Sequence, residues 1–411
     1  MNSDIKPGRL IPCHGYAEDD KILLKSMKKD KINLYLIILL IALVVFLLLD
    51  ERFLPGKSRT PQYSRSSTEL VGMVMQLIKT DYLEEPNPQR TTSGAFRGIV
   101  NSLDPLSAYL DKDLAARYQN QKIGSYQTGL TVYKKYGLFP VVVAVAENSA
   151  AARAGLKVGD NISSINDNNT LLMSLIETEL WLSSDRPTEE PLRLRVVRGT
   201  DTLSFELKRD YMPVQVVQTF TDLEGGLRLQ PTMIYPGVAN DIKKILAASL
   251  NKNKAKYKAL ILDLRNCSGG DYNEARNLVN LFAKSEQAGY FEKRGQKENL
   301  VLKEEPLYPN LNLIIWVNMA TMGPAELIAG CLHELRGATI IGIETPGLVA
   351  QRENFPLDDG SLVILVTSVF NLKSGQRLLD KSLPVDVKLT YSDKIDSDYL
   401  DRTRERLTTL H

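Results

Sequence analysis

The chain has 411 residues, with 51 basic and 49 acidic side chains and a net charge of +2. That balance gives no electrostatic case for a nucleic-acid partner, and 43% apolar with 24% charged residues excludes a disordered chain. Cys13, Cys267 and Cys331 fit no metal spacing or disulfide framework, and His14, His333 and His411 are scattered, so no metal and no organic cofactor is expected.

The first element is apolar. Residues 34–49 are unbroken but for Tyr35, and with Ile32 the run 32–49 approaches the roughly 20 residues that cross a bilayer. Lys21, Lys25, Lys28, Lys29 and Lys31 precede it, and Asp50, Glu51 and Arg52 follow. Lysines resist translocation. The pattern predicts a single-pass signal anchor in the inner (plasma) membrane. Residues 1–31 would be cytoplasmic and the main part periplasmic or otherwise extracytoplasmic. No small-residue cleavage site follows the run. Residues 50–67, rich in Pro, Gly, Ser, Arg and Lys, read as a linker.

From Thr68 the pattern is helical, with Leu70, Val71, Val74, Leu77 and Ile78 at three- and four-residue steps. A second helix is predicted over 93–103, ahead of Asp104-Pro105. Residues 68–118 are taken as an N-terminal helical part. Over 119–209 the pattern changes to short strands, at 128–132, 140–145, 162–166, 192–196 and 202–207, with one helix over 171–182. Over 210–390 continuous apolar runs at 259–264, 313–317 and 339–342 read as strands buried on both faces. Helical patterns at 272–282 and 325–334 follow two of them. The fold class is α/β, in an α+β multidomain arrangement. Residues 391–411 read as a charged tail.

The β-rich segment has a binding motif. In Gly129-Leu130-Thr131-Val132 a Gly-led turn before a strand can aim several backbone N–H groups at one carboxylate, and a peptide can then add beside the strand. With the turn Ala154-Gly155-Leu156-Lys157-Val158-Gly159-Asp160, this segment resembles a PDZ domain.

With its flanks, the segment from about Leu70 to Leu389 resembles the C-terminal processing, or tail-specific, serine peptidases, which use a Ser-Lys dyad. Gly98 to Leu110 carries the signature ahead of the PDZ domain, with Leu106 at a usual His. The run Leu262-Asp263-Leu264-Arg265-Asn266-Cys267-Ser268-Gly269-Gly270 matches the strand and turn behind the active site, and Asn318 to Gly330 matches the nucleophile strand and helix. Gly342 to Gly347 matches the segment that carries the Lys.

The resemblance places the nucleophile at Gly323, because Asn318 and Glu326 fix the register on both sides, and the general base at Leu348, after Thr345-Pro346-Gly347. Neither residue has an atom for the step. A family Gln falls on Arg352, with Gln351 one residue away. Gly269 and Gly270 occupy the turn that supplies oxyanion N–H donors in active relatives.

The resemblance therefore implies a pseudopeptidase. It would bind protein C-terminal tails at Gly129, Leu130, Thr131 and Val132 without cutting them, with an active paralogous peptidase or a second copy as a further partner. The alternatives are an active endopeptidase with a relocated nucleophile and a structural module with a closed groove. The first would use Thr321, or Cys331 beside His333, with Lys373 or Lys381 as base.

Overall fold

The computed structural model describes residues 39–40, 65–120, 126–188, 190–212, 216–252, 257–392 and 394–409. They fall into two units, 1–86 and 87–411. Among the described residues no helix is long and apolar enough to cross a membrane. The predicted anchor 32–49 lies outside them, apart from Leu39 and Leu40. The described part of the first unit is chiefly the helix Arg65–Asp81, which begins three residues before the predicted start.

The second unit is built on a six-stranded sheet. Its order is Val217–Phe220, Gly226–Pro231, Ala259–Asp263, Asn312–Val317, Thr339–Gly342 and Val387–Lys388. The first pair is antiparallel and every later pair parallel. Side chains alternate across a strand, so Leu260, Leu262, Ile315, Val317 and Ile340 face one core, with Ile242, Leu278 and Leu327 from helices Val238–Lys252, Tyr272–Asn280 and Pro324–Arg336. Ile261, Ile314, Trp316 and Ile341 face the other. Helix Ile395–Thr409 covers that second face with Tyr399 and Leu407, and Thr403 accepts a 2.8 Å bond from Trp316 Nε1. Residues 391–411, read from the sequence as a tail, are thus largely a core helix. Its burial rests on a four-residue repeat too sparse to stand out among its charges.

An antiparallel sheet stands beside this core. Leu362–Leu372 pairs with Ala108–Leu110, Gly289–Lys293 and Ala350–Pro356, and a register shift falls between Gln351 and Arg352. The β-module has the strand order Leu130–Tyr133, Val141–Val145, Asn161–Ile165, Leu192–Arg198, Asp201–Leu207. Its two ends lie side by side, because Tyr126–Gln127 pairs with both Asp210–Tyr211 and Ser183–Ser184.

Several predicted bounds shift for local reasons. The helix expected over 93–103 spans Pro88–Asn101, since Asn87 caps it and Pro88 supplies a pre-set φ at its first position. The helix expected from Leu171 begins at Leu175, because Ser174 caps it by accepting from the Glu177 N–H at 3.0 Å. The strand expected from Thr128 begins at Leu130, because Gly129 has φ 84° and turns the chain.

Candidate active site and tail-binding edge

The turn 318–323, where the sequence resemblance places the nucleophile, is tied down on both flanks. Asn318, at the end of strand Asn312–Val317, accepts from the N–H groups of Asn266 and Ala320 and donates to Asn266 Oδ1 at 2.8 Å. Thr321 is fully buried. Its Oγ1 accepts from the Asn318 N–H at 2.9 Å and donates to the Leu264 carbonyl at 2.8 Å. Met322 N–H bonds the Cys267 carbonyl at 3.1 Å, and Ser268 bridges to Met322. These bonds bring the turn of Gly269 and Gly270 beside the turn 318–323. Gly270 is obligatory there, because a Cβ would stand 2.3 Å from the Ile234 carbonyl oxygen.

Gly323 caps the helix Pro324–Arg336 at φ 61°, ψ −116°. This is a sharp strand-to-helix elbow of the kind that exposes a nucleophile in other hydrolases. A Cβ added here would meet only Tyr272 Oη and the Leu348 carbonyl oxygen, both at 3.6 Å. Space for a side chain is present, and the side chain is not.

Glu326 joins this elbow to the segment Gly347-Leu348. Its carboxylate is fully buried at the first turn of the helix. It accepts from the N–H groups of Gly323 at 2.9 Å, Gly347 at 2.7 Å and Leu348 at 2.7 Å. Burial pushes its pKa up to about 7, against bonds from Thr345, Leu348, Gly323 and Gly347 that pull it down. One carboxylate therefore holds positions 323 and 348 together, a function the sequence reading missed while using Glu326 only as a register mark. The spacing Gly323-x-x-Glu326, a glutamate at the third helical position, was the available clue. Tyr272 completes the frame, its hydroxyl accepting from the Ala350 N–H and donating to its carbonyl, both at 3.1 Å.

Leu348 is buried in an apolar cluster with Ala320, Met322, Ala350 and Leu379 that continues into Val132 and Leu175 of the β-module. Lys373 and Lys381 are exposed. Cys331 is fully buried, and burial raises its thiol pKa, the wrong direction for a thiolate. His333 Nδ1 lies 2.9 Å from the Ala338 carbonyl oxygen on the same helix end. Gln351 is half-buried and accepts from Ser368 Oγ at 2.7 Å, whereas Arg352 beyond the register shift is exposed. The bulge turns Gln351, and not Arg352, inward. Asp263, behind the site, is paired with Arg265 at 2.8 Å and Arg228 at 3.1 Å, a structural network.

At the β-module, Leu130–Tyr133 is an edge strand that, among the described residues, pairs only with Val141–Val145. The strand packs against helix Leu175–Leu182, whose Leu175 and Leu182 share a cluster with Val132. Gly129 is required before it, since a Cβ would fall 2.1 Å from that of Ser149. Gly129, Leu130, Thr131 and Val132 thus form one continuous turn and edge, distinct from the elbow.

Comparison with known proteins bears on this arrangement. Residues 225–389 match the family model for peptidase family S41, and residues 141–198 match that for a PDZ domain. The chain is 28% identical over 382 residues to the carboxy-terminal processing protease CtpA of Bacillus subtilis, covering 91% of this chain and 80% of that one. It is 24% identical over 339 residues to the carboxy-terminal-processing protease of Bartonella bacilliformis, covering 77% and 73%. Its fold is similar to that of the solved photosystem II D1 C-terminal processing protease, with a TM-score of 0.63 at 18% identity, over 77% of this chain and 86% of that one. The chain thus carries a peptidase family S41 domain with a PDZ domain ahead of it, and is similar to the carboxy-terminal processing proteases.

Proposed function

We propose that this protein is a pseudopeptidase: a membrane-anchored, envelope-facing S41 homologue that holds protein C-termini at its PDZ domain and does not hydrolyse them. The observation that carries the reading is the pairing of Gly323 with Leu348 across the Glu326 carboxylate. Acyl transfer needs an oxygen at the elbow and a proton acceptor opposite it. The elbow, its partner segment and the glycine turn at Gly269 and Gly270 support the reading, since Gly323, without a side chain, and Leu348 supply neither.

Thr321 does not favour a relocated nucleophile, because its hydroxyl is buried and bonded on both sides. Cys331 is equally enclosed. The edge of Leu130–Tyr133, unpaired among the described residues, supports tail binding by strand addition, with the turn at Gly129 as the carboxylate end. The lysine-flanked run 32–49 supports the anchor. A second copy, or an active paralogue, would be the partner to which held tails are presented.

The test is binding of fluorescent peptides with apolar C-termini to the full-length protein in detergent, each as free acid and as C-terminal amide. Free acids should bind at least about tenfold tighter, the value of one charge-assisted contact or more. Equal affinity for acid and amide would remove the nest from the account.

A further inference from the structure

A second cleft lies outside the site already described. It has a volume of about 740 Å³, and Arg117, Trp181, Arg186 and Arg209 are among the residues that line it. Arg117 comes from helix Lys112–Asn120 and Arg209 from the end of the PDZ domain, yet both guanidinium groups are docked on one turn. Arg117 Nη2 donates to the carbonyls of Leu180 at 2.5 Å and Ser183 at 3.3 Å. Arg209 Nη2 donates to the Trp181 carbonyl at 2.7 Å, and its Nη1 to Thr188 Oγ1 at 3.1 Å. Arg117 also stands over the Trp181 ring, 5.6 Å from its centroid.

These carbonyls end the helix Leu175–Leu182, so helix capping explains part of the arrangement. It does not balance the charge. A helix C-terminus is equivalent to roughly half a negative charge, against two half-buried guanidinium groups. No ion pair within 4.0 Å joins Arg117, Arg186 or Arg209 to a carboxylate among the described residues. Asp185, Arg186 and Glu190 also line the cleft, and all three are exposed. Burial pulls the pKa of Arg117 down, with Asp185 opposing, and pulls that of Arg209 down with Arg117 adding to the fall. The two cations are thus half-buried on one turn, and Arg209 Nε and Trp181 Nε1 are buried there with no hydrogen-bond partner among the described residues.

We infer that this cleft is a binding site for a small oxyanion, a phosphate- or carboxylate-bearing molecule gripped between Arg117 and Arg209 against Trp181. Planar guanidinium forks match either oxyanion, and the volume suits a small molecule. The cleft adjoins the tail-binding edge, because Ser183–Ser184 pairs with Tyr126–Gln127 just before Gly129.

The full-length protein in detergent is titrated with sodium pyrophosphate and, separately, with sodium citrate, each against sodium chloride at matched ionic strength. Binding heat and Tm are read. At least one of the two oxyanions binds saturably and raises Tm beyond the chloride control, as a ligand of the folded state must. Arg117→Gln and Arg209→Gln each weaken that binding at least about tenfold, while Arg195→Gln, on an exposed face of the same domain, leaves it unchanged. Arg117→Lys keeps the charge without the fork and gives intermediate affinity, which preserves the comparison if a Gln variant does not fold. Responses to both oxyanions no larger than to chloride overturn the inference. So does binding that the Arg117 and Arg209 variants leave intact.

Discussion

At the residue scale the account turns on Gly323, Leu348 and the carboxylate between them. Gly323 has φ 61°, a conformation that costs a residue with a Cβ about 1–3 kcal/mol. Its surroundings leave ordinary contact distance for that Cβ, so Gly323→Ser should destabilise the protein by about 1–3 kcal/mol through backbone strain alone. Urea unfolding measures this. A loss well above that range would mean the pocket over the elbow has closed.

Glu326 makes a prediction in pH. Its folded pKa of about 7 lies above the ordinary glutamate value of 4.5, because burial disfavours the charge. Between those values the folded state binds more protons than the unfolded one. Stability from this group is therefore present below pH 4.5 and is lost as pH rises through about 7. The wild type should lose stability across that window more steeply than Glu326→Gln, which cannot titrate. Parallel denaturation midpoints for the two proteins would contradict the assignment.

At the element scale the best-defined piece is the PDZ turn from Gly155 to Asp160. Asp160 is 1% exposed and accepts from the Lys157 N–H at 2.9 Å and from Arg198 Nε and Nη2 at 2.6 and 2.8 Å. Arg198 reaches on to the Gly155 carbonyl at 2.9 Å, so one ion pair fastens both ends of the turn to strand Leu192–Arg198. Burial alone would raise the Asp160 pKa, but Arg198 and the Lys157 N–H outweigh it and hold it low. Asp160→Asn should cost about 2 kcal/mol, less than a fully buried pair because Arg198 is partly exposed. Thermal unfolding of the PDZ domain followed by hydrogen exchange tests this, and an unchanged protection pattern would demote the pair to surface decoration.

The same scale shows what sequence reading reaches. Apolar runs such as 259–263 declare buried strands, because both faces must be covered. The bulge between Gln351 and Arg352 was not legible, since a one-residue register shift leaves no mark in composition. Spacing from Leu348 pointed to Arg352 with Gln351 one residue away, and the structure turns Gln351 inward.

At the scale of the whole molecule, the assignment of the dyad to Gly323 and Leu348 rests on Asn318 and Glu326, which bracket Gly323 without a gap. The work of Glu326 was not legible in the sequence, because its donors come from segments about twenty residues apart that only the fold assembles. Thr321 read as an available hydroxyl for the opposite reason: a sequence shows the oxygen and not the Leu264 carbonyl that occupies it. Trp316 and Thr403 show the same limit at longer range, since their bond ties the last helix to the central sheet across 87 residues.

The central claim is that a competent scaffold surrounds a dead dyad. The most direct measurement is cleavage of an unfolded reporter with an apolar C-terminus by the full-length protein in detergent, beside the double variant Gly323→Ser, Leu348→Lys. Burial of position 348 would lower the pKa of the new amine, as a general base requires. The account predicts no cleavage by the wild type and measurable cleavage by the double variant. Cleavage by the wild type, retained in Gly323→Ala, would contradict it.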